Sequence, residues 1–540
     1  MEYGLAMGNG QWDARLESAV FAVLPAMLFT LLLAAGWSRV RGAWRILWLA
    51  LLLLLGALPY GAENALNGFQ SVFYILGLGA VGYLWLTLTA ERFGPGWFLG
   101  QFCAVFSLFT IAAAVANGLV VIVVLGAQML RERRMSALRV TGCVLGLGYA
   151  VCSWVLWSPS PWHASLQAVS VGEWSRVLSH LLSWPALVLW PVSVLLVAPV
   201  VVLAWRRWRE GRLPAGDAAL VGLAVWAGVQ CASIAYARGH EAVWLAGRYL
   251  DLLVLGLPVQ FLALVQLYPA GASVEGRGRR RWWGRGAMAA WLAVVGIGLA
   301  QQTREAMVGV ATYDVERALQ VKNTRAYLAG GDAAILRNAP FRTIPFPVAD
   351  VLIQRLAAPG IDVLLPASVR PAFPLVARTA AERFPARAPS LVLETPPAQS
   401  VFSSLDTLPE SPAQVWQSTV QRPHPAGMLR LWVAGDLGAG RSDLRLVARS
   451  ATECYEVTPD RAPGRRWKRM QVPQPAGDWW IEAEDTSATG WFAFTTPVAL
   501  GRWSWMADKL LWASPLVAGG GVLLLLAAGL LALSQRPADE

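Results

Sequence analysis

The chain has 540 residues, of which 56% are hydrophobic and only 15% are charged. A soluble core cannot bury so much apolar surface, so the composition excludes a purely soluble protein and indicates that lipid surrounds much of the chain. The formal net charge is +11. In a membrane protein such a basic excess typically belongs to the cytoplasmic loops that set orientation, which argues against nucleic acid as a partner.

Apolar stretches long enough to cross about 30 Å of hydrocarbon recur along the chain and predict about eleven transmembrane helices. They cover residues 19–37, 44–59, 71–90, 97–113, 116–130, 140–157, 184–205, 218–236, 249–269, 286–301 and 507–533. The run from 97 to 130 is divided into two helices at Asn117-Gly118, because an Asn-Gly pair favours a tight turn.

The distribution of arginine predicts the orientation of these spans. Eighteen arginines fall on one predicted side of the membrane, against four in the short loops opposite. Because basic residues near span ends stay in the cytoplasm, the N-terminus and residues 302–506 are predicted to lie outside it. The N-terminal segment lacks the basic start of a signal peptide. Either the first span translocates a short tail, or an upstream helix is missing from this chain.

The segment between the last two spans has a different periodicity. Residues 313–337 predict a helix that breaks at Gly330-Gly331, and residues 340–400 are rich in proline and alanine. From about residue 428, six short alternating runs predict an antiparallel β-sandwich of the jelly-roll kind.

The predicted fold class is therefore mainly α: a polytopic helical membrane protein with an extracytoplasmic α+β domain that ends in this sandwich. The predicted divisions are a transmembrane domain (1–301), a helical linker region (302–425), a β-sandwich (426–500) and a C-terminal span (507–533). The arginine-rich, lysine-poor composition suggests a GC-rich bacterial genome, so the predicted location is a bacterial inner membrane with residues 302–506 in the periplasm. No motif for a cofactor or a metal is present.

Polar residues gather in the outer loop that precedes the third span. The segment GAENALNGFQ contains Glu63, Asn64, Asn67 and Gln70 within about ten residues of hydrocarbon. Polar groups are costly at that depth, which makes them candidate site residues. The alternative is a solvated turn with Asn and Gly at its turn positions.

The segment ARGHEAVWLAGRYLD, which opens the ninth span, is a second candidate. Arg238 and Arg248, the latter followed by Tyr249, oppose the orientation rule, and a guanidinium offers a rigid fork that suits a phosphate. Alternatively, these arginines extend to ordinary lipid headgroups. Asp251 lies one helical turn past Arg248, where the two can form an ion pair.

Two further features are aromatic. The amphipathic segment EWSRVLSHLLSW predicts a helix along the outer membrane surface, or a lid over an active site. In the predicted sandwich, Trp479, Trp480 and Trp491 are candidates for stacking on sugar rings. The alternative is core packing, and adjacent Trp479 and Trp480 point to opposite faces of a strand, so only one of them can be core.

The motif EN-x-x-x-GFQ before an aromatic-rich span, the later GRYLDLL, and an outer domain followed by a last helix resemble bacterial membrane proteins related to the GT-C glycosyltransferases. The resemblance implies transfer of a sugar from a polyprenyl-phosphate donor to a cell-envelope glycan or lipid. It implies that Arg238, Arg248 and Tyr249 with Asn64 and Gln70 hold the donor, and that a carboxylate acts as base. GT-C enzymes carry this carboxylate in a large loop after their first helix, and the resemblance implies that the present sequence begins past that loop. Asp13 and Glu63 are the candidate catalytic residues that remain.

Two other classes of function stay open. A lipid-linked-sugar transporter would need ionisable residues at mid-bilayer or two matching halves, and neither is evident. A non-catalytic membrane scaffold that presents a carbohydrate-binding sandwich is the other alternative. An in-frame upstream extension with an acidic outer loop would favour the enzyme over the scaffold.

Overall fold

A computed structural model shows a mainly helical chain with antiparallel β-structure near its C-terminal end. It describes residues 2–61, 63–64, 70–157, 161–186, 191–240, 247–268, 278–378, 384–386, 389, 391–392, 400–405, 414–438 and 440–534. The chain divides into two compact units. The first consists of Met1–Glu17 and Thr312–Val517, and the second of Ser18–Ala311 and Ala518–Glu540.

The described α-helices are α1 (Glu2–Asn9), α2 (Ala14–Phe21), α3 (Val23–Trp37), α4 (Ala43–Ala57), α5 (Ser71–Thr89), α6 (Pro95–Ser107), α7 (Val115–Glu132), α8 (Ala137–Val155), α9 (Val171–Leu182), α10 (Val192–Arg209), α11 (Ala215–Ala237), α12 (Leu250–Leu253), α13 (Gly256–Leu267), α14 (Gly278–Gly330), α15 (Ala334–Arg337), α16 (Ala349–Leu356), α17 (Ile361–Leu364) and α18 (Arg502–Ser534).

Eight helical stretches in the described residues are long and apolar enough to cross a membrane. They are Ala14–Trp37, Ala43–Gly61, Ser71–Thr89, Val115–Glu132, Ala137–Val155, Ala215–Ala237, Gly247–Leu267 and Gly284–Gly330. Each coincides with one predicted span, so the chain is a multi-pass membrane protein. The three other predicted spans fall on α6, α10 and α18. Helix α6 has only 13 residues, too few to cross alone. Helix α10 has 18 residues, but its last turn carries three arginines, so its apolar part is shorter than a span.

The break between the two helices of the run 97–130 lies earlier than the sequence predicted. Asn117 and Gly118 lie inside α7, and the chain turns between the end of α6 and the start of α7. The Asn117 amide donates to Ser107 Oγ (2.9 Å) and accepts from the Trp226 indole (2.7 Å). A Cβ on Gly118 would lie 2.1 Å from the carbonyl oxygen of Gly146 in α8. This Asn-Gly pair therefore serves helix packing rather than a turn.

Helix α14 joins two elements that the sequence predicted separately. Its 53 residues include the tenth predicted span and most of the helix predicted over 313–337. The apolar sequence ends near residue 301, but the helix continues beyond it. The helix ends at Gly330, and Gly331 has a positive φ of +69°, which glycine adopts without steric cost. The predicted break at this pair is confirmed.

The first unit contains two antiparallel sheets. The strands are β1 (Val401–Ser403), β2 (Gln414–Gln417), β3 (Gly427–Gly435), β4 (Leu444–Ser450), β5 (Cys454–Glu456), β6 (Gly464–Pro473), β7 (Trp479–Asp485), β8 (Phe492–Thr495) and β9 (Val498–Gly501). A five-stranded sheet has the order β1-β8-β3-β6, with β9 also pairing with β3, and a four-stranded sheet has the order β2-β7-β4-β5. All six predicted runs are strands, and β1, β2 and β9 are additional. Strand β1 begins well before residue 426, the predicted start of the β-region.

Side chains from both sheets form one hydrophobic cluster. Leu431 and Phe494 come from the five-stranded sheet and Trp416 and Ile481 from the four-stranded sheet, and all four are at most 1% exposed. Strand β7 shows why the pattern was readable from the sequence, because its buried residues alternate with half-buried ones.

The N-terminal segment Met1–Glu17 packs within the same unit. The Asn9 amide donates to Ser504 Oγ (2.8 Å), the backbone N–H of Trp12 donates to the Leu364 carbonyl (2.8 Å), and Arg15 pairs with Asp508. The sequence division assigned residues 1–301 to the transmembrane part, and these contacts join the first 17 of them to the unit that contains the sheets.

Candidate functional site

Two segments of the second unit, far apart in sequence, bring an acidic and a basic candidate together. Glu63 lies in the segment after α4, and Arg248 lies two residues before the start of α12. The Arg248 Nη1 lies 3.1 Å from Glu63 Oε1, and the Arg248 backbone N–H donates to Glu63 Oε2 at the same distance. Both carboxylate oxygens of Glu63 therefore accept from one residue, and the ion pair is only partly exposed to solvent.

The neighbouring pair, Asn64 and Asp251, is buried more deeply. The Asn64 amide donates to Asp251 Oδ2 (2.6 Å) and to the carbonyl oxygen of Arg248 (2.9 Å). Asn64 is 3% exposed and Asp251 is 8% exposed, and the Tyr74 hydroxyl also hydrogen-bonds to Asp251. The sequence left open a pair between Asp251 and Arg248, but the partner of Asp251 is Asn64. Among the described residues, the buried Asn64 Oδ1 has no hydrogen-bond partner.

A glycine makes this burial possible. A Cβ on Gly61 would lie 2.5 Å from Asp251 Oδ1, so any other residue would displace the carboxylate. The Tyr60 ring beside it makes an edge contact with Trp184, with 5.3 Å between ring centroids. The carboxylate thus sits against the backbone of the loop that also carries Glu63 and Asn64.

Arg238 and Tyr249 lie on the side of Arg248. Arg238 Nε donates to the Tyr249 hydroxyl (2.8 Å), and the Arg248 guanidinium lies over the Tyr249 ring, 5.3 Å from its centroid. Arg238 Nη1 is buried and has no hydrogen-bond partner in the part of the chain that the structure describes. Gln70 is buried just before α5, and no hydrogen bond joins it to the described residues of this cluster. Residues 65–69, including Asn67, and 241–246 lie outside the described residues.

The amphipathic helix predicted near this loop is α9. Ser170 caps it by accepting the backbone N–H of Glu173. The Trp174 indole donates to the carbonyl oxygen of Ala232 in α11 (3.0 Å), and Val177 and Leu181 are buried. The apolar face of α9 therefore packs against α11, and its position on the membrane surface stays a prediction.

Asp13 belongs to the other unit and is held by a neighbouring arginine. Its carboxylate accepts two hydrogen bonds from the Arg15 guanidinium (3.1 and 2.8 Å) and one from the Arg15 backbone N–H (2.9 Å). Burial tends to raise the pKa of Asp13, but the hydrogen bonds and charge of Arg15 outweigh it, and the pKa is lowered. A carboxylate held in its charged form by a cation is a weak general base, so this geometry does not favour the catalytic role considered for Asp13.

The three sugar-stacking candidates differ in exposure. Trp479 is fully buried and meets Phe373 edge-on, with 5.0 Å between centroids. It has no surface to offer a sugar, so its assignment as a stacking residue is corrected to a core residue. Trp480 is half-buried and its indole donates to Glu482 Oε1 (3.2 Å). Trp491 is also half-buried and packs against the five-stranded sheet.

Comparisons with known proteins give no relative for this chain: no family model matches it, and no curated protein or solved structure is significantly similar to it.

Proposed function

We propose that this membrane protein binds a polyprenyl-phosphate-linked sugar at its outer face and transfers the sugar to a cell-envelope glycan or lipid. One observation carries the proposal. Two carboxylates, Glu63 and Asp251, and two arginines, Arg238 and Arg248, are drawn together from segments about 185 residues apart. Charged groups are costly next to hydrocarbon and are kept there for function by default.

The arginines supply the phosphate site. Arg248 has 34% of its side chain exposed, and Arg238 keeps a buried donor without a partner among the described residues. A phosphate accepts paired hydrogen bonds from guanidinium groups, and charge-assisted bonds of this kind are about twice as strong as neutral ones. Tyr249 contacts both arginines, through its hydroxyl to Arg238 and through its ring to Arg248.

Glu63 is the proposed base. A bound phosphate competes with its carboxylate for Arg248, so donor binding releases Glu63 from the ion pair. The freed carboxylate accepts the proton of the acceptor hydroxyl while the acceptor oxygen bonds to the anomeric carbon. The bond between that carbon and the phosphate oxygen breaks, and the arginines stabilise the leaving phosphate. Asn64 and Asp251 hold the loop in place.

The proposal includes the full predicted topology. It has about eleven spans, with α6, α10 and α18 counted among them, a bacterial inner membrane, and residues 302–506 in the periplasm. It also includes the two sheets as the faces of a jelly-roll sandwich. The first unit supports this topology, because Met1–Glu17 packs with Thr312–Val517. The topology places both segments on the same side of the membrane, where they can make this contact.

A non-catalytic scaffold is the second candidate. It is favoured by the ion pairs, because both carboxylates considered for catalysis, Asp13 and Glu63, are neutralised by arginine. Such a protein would bind the lipid-linked sugar without turnover. Glu63→Gln separates the two candidates: the enzyme loses release of labelled sugar from a polyprenyl-phosphate donor and still binds it, whereas the scaffold shows no release in the wild type.

Donor binding is tested with undecaprenyl phosphate and the full chain in nanodiscs. Because a charge-assisted hydrogen bond contributes about 1.5 to 3 kcal/mol, Arg248→Ala is expected to weaken binding about tenfold or more. Arg248→Lys should recover only part of this loss, since lysine has no bidentate fork. Arg176→Lys, in α9, is the matched control and should bind as the wild type does. Equal affinity of wild type and both Arg248 variants would reject the phosphate site.

A further inference from the structure

Strand β6 and the turn before it form the most basic segment of the described first unit. They carry Arg461, Arg465, Arg466, Lys468 and Arg469 within nine positions. Arg469 has a carboxylate within ion-pair range, with its Nη2 at 3.7 Å from Asp508 Oδ2. The other four form no ion pair with described residues, and all except the half-buried Lys468 are exposed. In the five-stranded sheet, β6 is the last strand of its order, so these charges line a sheet edge.

Aromatic side chains share the outer face of this edge. Alternation places Arg465, Trp467 and Arg469 on one side of β6, and Arg469 is directly opposite Trp432 of β3. The opposite side faces the core, because Leu431, which pairs with Met470, is fully buried.

A third tryptophan completes the arrangement. Trp467 and Trp491 both pack on the small residues Ala434 and Ala493 of the same sheet. Trp432, Trp467 and Trp491 are all half-buried, so each residue is partly exposed to solvent. We call Trp432, Trp467, Trp491, Arg465 and Arg469 the Trp-Arg face.

We propose that the Trp-Arg face binds an anionic polysaccharide, one whose sugars carry carboxylate, sulfate or phosphate groups. Indole rings stack on the apolar CH faces of sugars, and guanidinium groups beside them pair with the anionic substituents. To insert into a bilayer, apolar side chains would have to project beyond the charged ones. Trp467 and Trp491 instead pack against the sheet. The site acts by itself and does not depend on the transfer reaction proposed above.

The test measures binding of the full chain, in detergent, to immobilised polymers. The wild type is expected to bind polygalacturonate and dextran sulfate and to leave neutral dextran unbound, with binding that weakens as salt rises. Arg465→Ser with Arg469→Ser, the two arginines of the Trp-Arg face, should weaken polygalacturonate binding about tenfold or more, the loss of at least one charge-assisted contact. The control removes the same charge elsewhere in the unit, with Arg422→Ser and Arg445→Ser, two exposed arginines without ion pairs to described residues. An equal loss in the control would overturn the assignment to this face.

A second comparison separates sugar recognition from charge. Trp432→Leu is expected to weaken polygalacturonate binding and to leave binding of polyvinyl sulfonate, a polyanion without sugars, unchanged. Wild-type binding that is as tight to polyvinyl sulfonate as to polygalacturonate, or that occurs only with vesicles containing phosphatidylglycerol, would overturn the polysaccharide assignment. An unchanged melting temperature for each variant shows that binding, not folding, was altered.

Discussion

The Asn64 amide nitrogen lies 2.6 Å from a carboxylate oxygen of Asp251, and both side chains are buried. Asn64→Asp would place two carboxylates at this contact, where a buried charge that loses its partner costs about 3 to 5 kcal/mol. We therefore expect a clear drop in the melting temperature of the protein in detergent. Adding Asp251→Asn restores a donor facing an acceptor and should recover much of the loss. A double variant no more stable than Asn64→Asp would contradict this pairing.

The contact between Gly118 and the Gly146 carbonyl predicts a second effect on stability. Gly118→Ala places a methyl group 2.1 Å from that backbone oxygen, so α7 and α8 must move apart, at a cost of about 1 to 3 kcal/mol. Gly126→Ala is the control in the same helix, because its Cβ would meet nothing within 4 Å. We expect a lower melting temperature for the first variant and an unchanged or higher one for the second. A similar melting temperature for both would exclude close packing at Gly118.

Topology is tested by reporter fusions along the full chain. Fusions after residues 135, 210 and 282 are expected to report the cytoplasm, and fusions after 165, 243 and 420 the outside, because basic residues remain inside. The fusions at 135 and 165 also test whether α6 crosses the membrane, because without that span each of these two sites would lie on the opposite side. A cytoplasmic signal at 420 would overturn the orientation and, with it, an outer-face site at Arg248.

The sequence predicted elements whose period is visible within one segment, and it could not predict contacts between distant segments. The alternation of the longer strands β3, β4, β6 and β7 was clear, whereas β1, at three residues, is too short to show a period. Asn117-Gly118 has the local sequence signal of a turn. That signal does not reveal that Trp226 and Gly146, which are distant in sequence, pack against the pair. Glu63 and Arg248 were both selected for polarity near hydrocarbon. Their ion pair was not foreseen, because 185 residues separate them.

The N-terminal segment is a further case. Gln11 and Asn9 accept hydrogen bonds from the backbone at Gly501 and Trp503. Neither polar residue has a local pattern that indicates a partner, and the apolar helix that follows favoured grouping the segment with the spans. Only the folded chain shows that it belongs with Thr312–Val517.

The last prediction concerns pH and rests on His424. Burial, together with the charge of nearby Arg370, lowers the pKa of His424 to about 4, and Asp362 opposes this shift. The ring is held neutral by geometry as well, because its Nδ1 accepts the backbone N–H of Ala426 (3.1 Å). The folded pKa therefore lies below the ordinary value of 6.5.

Between pH 6.5 and 4 the unfolded chain binds more protons at this site than the folded chain, so stability falls as pH falls through that window and levels off below it. The ring is half-buried, and solvent screening reduces the effect to roughly 1 kcal/mol. His424→Gln removes the titrating group. We expect its melting temperature, followed from pH 7.5 to 4.5, to fall by less than that of the wild type, while carboxylates common to both proteins contribute equally. Parallel curves for the two proteins would show that His424 titrates as freely in the folded chain as in the unfolded one.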